Sequence, residues 1–369
     1  MKKQFLIFFI LLALLAVVAS CQQSAEQMFE IGATVDNTCS INGVKSKEIT
    51  SIDIPDECDG RQVKYIGRNA FEGCENLVTV TIPEGVEVIR EYAFKGCVNL
   101  ESVSLPNSIK EIEYKAFDEC PKLKFKTYEN GKYLGNDDNP YVLLVSGIDD
   151  TVETFKVNEN CKIIYCKALT CYRQLKTIDM PYSILYIGAQ AFEGCSSLET
   201  FLVPNFVKHF SASWLNHCSS LKTITISANV ETVEIGYMWG CESFSEFIVY
   251  TTNSKFASKD GVLYSKDLKA LLAYPRAKKG DSFAIPSYVE RIATYAFNGC
   301  DYLKTISMWS TVKYISSGAV INCDLLHTVK YYGTMSEWVA LDNSNKGWDH
   351  SFCVNKVYCS DGTISRSKA

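Results

Sequence analysis

Cysteine recurs in this sequence at a constant 23-residue interval, and that interval restricts the fold more than any other feature. A large apolar residue, leucine in seven of eight cases, follows three positions after each of these cysteines. Tyr172 stands one interval before Cys195, where a further cysteine would fall. A unit of this size cannot bury its own apolar face, so the period indicates a stack of repeats. The recurring cysteines are Cys74, Cys97, Cys120, Cys195, Cys218, Cys241, Cys300 and Cys323.

Each unit carries the pattern of a strand with one buried face. Apolar residues stand six and eight positions after the cysteine, as in Val80 and Ile82, with polar residues between them. Proline often follows, as at Pro83, and ends the strand because it lacks an N–H donor. A second apolar pair and a corner of the form Ala-Phe-x-Gly-Cys complete the unit. The glycine suits a single helical turn with a left-handed exit.

Departures from this regular spacing are insertions. Residues 260–274 and 130–145 each contain two apolar stretches around a polar turn, which predicts a β-hairpin. Strand units without their own cysteine occur around Ile52, Phe155 and Phe283. We therefore predict a β-rich (α/β) leucine-rich repeat solenoid of about twelve stacked units, with a parallel sheet, short helical corners and two inserted hairpins.

The beginning of the chain has the pattern of an export signal. Lys2 and Lys3 precede an apolar run, residues 5–19, that is too short to span a membrane as a helix. Residues 18–21, Val-Ala-Ser-Cys, close this run and resemble the lipobox of bacterial lipoproteins, whose cysteine is lipidated. The alternative is a plain signal peptide that is cut near Ala19.

These patterns predict four segments. They are a signal peptide (1–20), a lipid-anchor tether (21–30), the solenoid with an N-terminal cap (31–332) and a C-terminal cap (333–369). We expect an exported protein that is lipid-anchored at the outer membrane or the cell surface through Cys21, with plain secretion as the alternative. Gln22 is not acidic, which favours the outer membrane.

The recurring cysteines are expected to be packing residues. All eight occupy one position of the repeat, where the side chain points inward as a small hydrophobe. Parallel side chains on neighbouring strands, roughly 4.8 Å apart, cannot form a disulfide without distortion. We predict that they stay reduced. Cys353 and Cys359, near the C-terminus, are the best candidates for a bonded pair.

No pattern in the sequence predicts catalytic or metal chemistry. The chain has four histidines and contains no Cys-x-x-Cys, no Gly-x-Ser-x-Gly and no phosphate-binding loop. Its net charge is −5 and its basic residues are scattered, so we expect no nucleic-acid partner. We expect no cofactor. The alternatives to a binding protein are an enzyme, such as a hydrolase, and a purely structural envelope lipoprotein.

A candidate binding face follows from the strand pattern. Residues five and seven positions after the cysteine alternate with the buried pair and must face outward. Most are threonine or serine, which strand propensity alone explains. Leu202, Ile248 and Phe125 place apolar groups on the same face, and propensity does not explain these. The predicted contact residues for a protein or glycan partner are Thr79, Thr81, Ser102, Ser104, Thr177, Asp179, Thr200, Leu202, Thr223 and Thr225.

The repeat resembles a known family. Its corners at residues 70–74 and 93–97, with Ile82-Pro83 and Tyr65-Ile66-Gly67, are similar to the BspA-like, or Treponema pallidum-type, leucine-rich repeats. The resemblance implies a non-enzymatic bacterial surface protein, with adhesion to a host matrix protein as one function. The chain departs from the pattern at Trp214-Leu215 and Tyr237-Met238, which replace the Ala-Phe corner, and at Lys126.

Lipidation at Cys21 can be tested directly. Cys21→Ala removes the thiol that would carry the lipid, so we expect the variant to remain unprocessed or to be shed in soluble form. Immunoblots of membrane and soluble fractions measure this, with Ser24→Ala as the matched control. Membrane retention of a Cys21→Ala chain that is still processed would contradict the prediction.

Overall fold

The computed structural model describes residues 28–236, 238–345 and 354–365. The export signal and Cys21 lie outside these residues, as does Cys353. The chain forms two compact units. The first comprises Met1–Tyr128 and Lys132–Val145, and the second comprises Glu129–Gly131 and Ser146–Ala369.

Short strands follow one another through residues 29–147. They are β1 (Phe29–Ala33), β2 (Cys39–Val44), β3 (Ser51–Asp53), β4 (Glu57–Cys58), β5 (Arg61–Ile66), β6 (Thr79–Thr81), β7 (Val88–Ile89), β8 (Ser102–Ser104), β9 (Glu111–Ile112), β10 (Lys126–Tyr128), β11 (Gly131–Leu134) and β12 (Leu143–Gly147).

The predicted parallel sheet is present in the first unit. Strands β3, β6 and β8 pair side by side, and we call the sheet formed by such strands the main sheet. Ser51 lies opposite Thr79, and Thr79 lies opposite Ser102. Each pair therefore joins the same position of successive repeats, although Ser51 and Thr79 are farther apart in sequence than Thr79 and Ser102. Strands β2, β5, β7 and β9 form a second sheet, while β11 and β12 form the predicted hairpin beside β10.

The second unit repeats this arrangement. Its elements are β13 (Thr154–Lys156), β14 (Ile163–Ile164), β15 (Thr177–Asp179), β16 (Tyr186–Ile187), β17 (Thr200–Leu202), β18 (His209–Ser211), a 3₁₀ helix (Ala212–Leu215), β19 (Thr223–Ile226), β20 (Thr232–Glu234), β21 (Glu246–Val249), β22 (Phe256–Lys259), β23 (Val262–Ser265), β24 (Ala270–Ala273), β25 (Ser282–Ala284), β26 (Arg291–Ile292), β27 (Thr305–Met308), β28 (Tyr314–Ile315), β29 (Thr328–Tyr331), α1 (Met335–Asn345), β30 (Lys356–Cys359) and β31 (Gly362–Ser365).

The main sheet of the second unit consists of three parts. They are β13–β15, β17–β19–β21 and β25–β27–β29–β30–β31. The predicted second hairpin is confirmed, because β23 and β24 pair antiparallel, and β22 adds a further antiparallel strand. Strand β30 pairs in parallel with β29, so the C-terminal segment continues the stack by one more strand.

The corners are single hydrogen-bonded turns. Cys74 N–H donates to the carbonyl of Phe71, three residues earlier, while Phe71 N–H donates to Ala93 in the next repeat. Some corner amides thus bond within their own turn, and others bond to the next repeat. Because the second group makes no helical hydrogen bond, the turns do not extend into longer helices. Gly73 closes its corner with a φ of 67°, the left-handed conformation that glycine adopts without steric cost.

Stacked side chains fill the interior between the two sheets. The corner rings of Phe71 and Phe94 stack at 4.8 Å, and those of Phe94 and Phe117 at 5.3 Å. Seven of the eight recurring cysteines are buried, and Cys120 is half-buried. Burial of this kind confirms that the cysteine position points inward.

The recurring thiols also make a repeated hydrogen bond. The Sγ of Cys97 donates to the carbonyl oxygen of Phe71 at 3.2 Å, and the Sγ of Cys218 donates to that of Phe192 at 3.3 Å. In each case the acceptor is the corner residue of the preceding repeat. Burial raises the pKa of Cys97 to about 12, so this thiol remains protonated at neutral pH. The same bond is made by Cys120, Cys195, Cys241 and Cys323.

Alkylation distinguishes buried thiols from disulfides. We expect iodoacetamide to modify the exposed Cys171 in the folded protein and to leave the seven buried recurring cysteines unmodified, because the reagent cannot reach them. In guanidinium chloride without reductant, all eight should become alkylated. Peptide mass spectrometry measures both states. Recurring cysteines that react only after reductant is added would show that neighbouring repeats are cross-linked.

Candidate binding face and groove

The ten predicted contact residues all lie on the outward side of the main sheet. None of them is buried. Four belong to β6 and β8 of the first unit, and six belong to β15, β17 and β19 of the second. The residues between them are buried on β6, β8, β17 and β19, as Val80 and Ile224 are, whereas Ile178 on β15 is half-buried. Alternation along the strands therefore turns the ten side chains outward.

The main sheet is interrupted within the second unit, between β15 and β17. At several other levels the amide just after the main-sheet strand donates to the next repeat, as Val157 does to Asp179 and Val203 to Thr225. Among the described residues, Met180 N–H makes no such bond to Leu202. The neighbouring second sheet is interrupted at the same level, since β16 and β18 are not paired.

The corner at this level remains joined. Phe192 N–H donates to Trp214 at 3.0 Å, and Gly194 N–H donates to Asn216 at 2.8 Å. Cys218 also keeps its thiol bond to Phe192. The two successive repeats are therefore held together at the corner while their strands lie apart.

Large aromatic side chains explain why the strands separate here. Phe210 replaces the aliphatic residue that other repeats use, Trp214 replaces the alanine of the corner, and Phe201 lies beside Trp214. All three are buried. The Phe201 ring lies 5.3 Å from Phe192 and 6.4 Å from Trp214, measured between centroids. Interiors are close-packed, so extra ring volume in one layer displaces the strands around it.

The separation opens a groove of about 410 Å³. Leu202 and Tyr182 stand at its rim with 50% and 82% of their surfaces exposed. Tyr250 reaches it from just after β21, and Pro204 and Ser227 contribute to its lining. The groove volume falls in the range of ligand sites. Three of the predicted contact residues line this groove, namely Asp179, Thr200 and Leu202.

Charged side chains near the face are mostly paired with one another. Lys176 contacts Glu153 at 2.7 Å, and Lys222 contacts Glu199 at 2.8 Å. Such exposed pairs contribute little stability. Asp179 is different, because within the described part of the chain its carboxylate forms no ion pair. Lys156 is the register partner of Asp179 on β13.

A second groove, of about 450 Å³, lies in the first unit. It is bounded by β8, with Ser102 and Ser104, and by residues 133–140 of the hairpin. Here the strand edge is occupied, because Leu105 N–H donates to Gly135 and Asn136 Nδ2 donates to the Leu105 carbonyl. The two predicted serines therefore line a groove that the chain partly fills itself.

The histidines do not form a catalytic group with acids or thiols in the described part of the chain. His209 Nδ1 contacts Thr232 Oγ1 at 2.5 Å, and His327 Nδ1 contacts Thr328 Oγ1 at 2.8 Å. Across residues 28–236, 238–345 and 354–365, no three or more His, Cys, Asp or Glu side chains converge as metal ligands. In these same ranges no helix has the length and hydropathy needed to cross a membrane.

The groove was not expected from the sequence. The departure of Trp214-Leu215 from the corner pattern was visible, and so was Phe210 at a position where aliphatic residues are usual. The sequence pattern gives register along the chain, but it does not give the spacing between strands.

The repeats match a described family of sequences. The model of the BspA type leucine rich repeat region matches residues 42–137, 149–260 and 274–338, with six copies. These ranges cover well over half of the chain. The protein therefore belongs to the BspA-type leucine-rich repeat family, as its sequence motifs predicted.

Several solved structures of bacterial leucine-rich repeat proteins are similar to this chain. A leucine rich cell surface protein from Faecalibacterium prausnitzii is 23% identical, with a TM-score of 0.37, over 82% of this chain and 74% of that one. A leucine-rich repeat protein from Bacteroides ovatus is 20% identical, with a TM-score of 0.38, over 82% and 93%. The pneumococcal vaccine antigen PcpA is 15% identical, with a TM-score of 0.39, over 92% and 96%. A search of curated proteins finds no match.

Hydrogen exchange tests the interruption of the sheet. Thr200 and Leu202 occupy the same repeat positions as Thr223 and Thr225, which pair with the preceding strand β17. We expect the amides of Thr200 and Leu202 to exchange roughly tenfold faster or more, because no strand protects them. Exchange resolved by NMR measures this. Equal protection at the two levels would mean that the strands are paired in solution.

Proposed function

We propose that this protein is an exported, non-enzymatic binding protein that holds a protein or glycan partner against the main-sheet face of its second unit. The observation that supports this most is the groove between β15 and β17, which opens on the predicted face. Repeat stacks present extended surfaces of this kind.

Exposed apolar side chains around the groove support a contact surface. Tyr182, Leu202 and Tyr250 line the groove, and all three are exposed. Single exposed apolar residues are ordinary, but a group beside a groove favours recognition of a partner. Tyrosine in particular combines apolar area with a hydroxyl group and is common at interfaces.

The export signal supports a location outside the cytoplasm. The lysines, the apolar run and Cys21 at its end favour a lipid-anchored protein at the outer membrane or cell surface. A lipid anchor would leave the repeats free to meet a partner. A host matrix protein fits the adhesive function that the family resemblance implies.

A matched pair of variants tests the face. Lysines in place of Thr200, Leu202, Thr223 and Thr225 should reduce binding at least about tenfold, because four cations cover the groove and the adjacent strand. The control carries lysines in place of the first-unit residues Thr79, Thr81, Ser102 and Ser104. Both proteins are applied to an array of glycans and matrix proteins. Full binding by the first variant would point instead to the hairpins or the C-terminal segment.

A further inference from the structure

Inserted hairpins cover open strand edges of the main sheet. In the second unit, Phe247 N–H on β21 donates to Gly261 at 2.8 Å, and Val249 N–H donates to Ser258 Oγ at 3.0 Å. In the first unit, Leu105 N–H, just after β8, donates to Gly135. In both places an extended piece of the same chain satisfies donors that the next repeat leaves unpaired.

The interruption between β15 and β17 has no insertion to cover it. The two repeats follow one another at the regular repeat spacing, so the sequence between them contains no spare segment. The register of the paired strands determines which main-chain groups face this gap. They are the N–H and C=O groups of Ile178 and Met180 on one side and those of Thr200 and Leu202 on the other. All four residues line the groove.

We propose that an extended segment of a partner polypeptide enters this groove and adds to the main sheet as a strand beside β15 or β17. This inference rests on the proposed function and names its partner as a peptide. Each edge offers alternating N–H and C=O groups at the repeat of a strand, and another main chain is the ligand that matches such a row. Unpaired strand edges are also the usual place where a second chain adds.

The side chains around the groove give this peptide a definite chemistry. Alternate residues of an added strand point outward, beside Leu202, Tyr182 and Tyr250, which favour apolar or aromatic partners. Asp179, which forms no ion pair with any described residue, lies on the outer side of β15 and favours a lysine or arginine. We therefore expect an extended sequence in which a basic residue accompanies alternating apolar residues.

A peptide library tests the proposal. A phage-displayed library of random dodecapeptides is selected on the mature full-length protein, and the enriched peptide is synthesised. Methylating its main-chain nitrogens at alternate residues should weaken binding roughly tenfold or more, because each methyl removes a strand hydrogen bond. Methylation outside the enriched core should have no effect. Binding that survives methylation throughout the core would overturn strand addition.

Two arginine variants locate the peptide. Leu202→Arg should abolish binding of the selected peptide, whereas Leu325→Arg should preserve it. Both residues are exposed leucines, 50% and 47%, but Leu325 lies outside the strands of the main sheet and does not line the groove. Circular dichroism checks that both variants fold. Equal binding by the two variants would place the peptide elsewhere and overturn the proposal.

Protection of amides gives a readout that needs no variant. The bound peptide should slow exchange at Thr200 and Leu202 and leave Thr79 and Thr81 unchanged. A library that yields no peptide, together with glycan binding that the four-lysine variant abolishes, would reject strand addition and retain the proposed function. If that variant keeps both its glycan binding and its matrix-protein binding, the proposed function itself is rejected.

Discussion

Hydrogen bonds between successive corners hold each repeat at a fixed distance from the next. They continue where the strands do not, as between Phe192 and Trp214. The strand ladders, the stacked phenylalanines and the thiol bonds all require this distance, because each joins fixed positions of neighbouring repeats. Larger side chains within one layer therefore cannot increase the distance between successive corners. They move the strands apart instead, because the strands are the side of the repeat that is free to separate.

The repeat itself could be read from the sequence because its signals are local and periodic. Register, inward and outward faces and both hairpins follow from the spacing of residues such as Val80, Ile82 and Asp260. The pairing of β30 with β29 was not foreseen, since the cysteine and corner motifs are missing there. The groove was missed for another reason. Its cause is the combined volume of Phe201, Phe210 and Trp214, which come together only in three dimensions.

The cysteines show how one residue type can meet several demands of a repeat at once. The position needs a small side chain, an apolar surface and a donor for the corner carbonyl of the preceding repeat, as between Cys97 and Phe71. Alanine would supply the first two but no donor. Serine would supply the donor, but its hydroxyl is more strongly solvated in the unfolded chain and costs more to bury. Thiols therefore suit this interior.

The interruption also bears on how the second unit unfolds. The stability of a repeat stack is approximately the sum of each repeat's own stability and its interface with the next. At this level the interface has lost both strand ladders and keeps the corner and the packed rings. Coupling between the repeats of β15 and β17 is therefore weaker than at neighbouring levels. We therefore expect unfolding that begins on one side of the gap to end there, with the repeats before and after it as separate cooperative blocks.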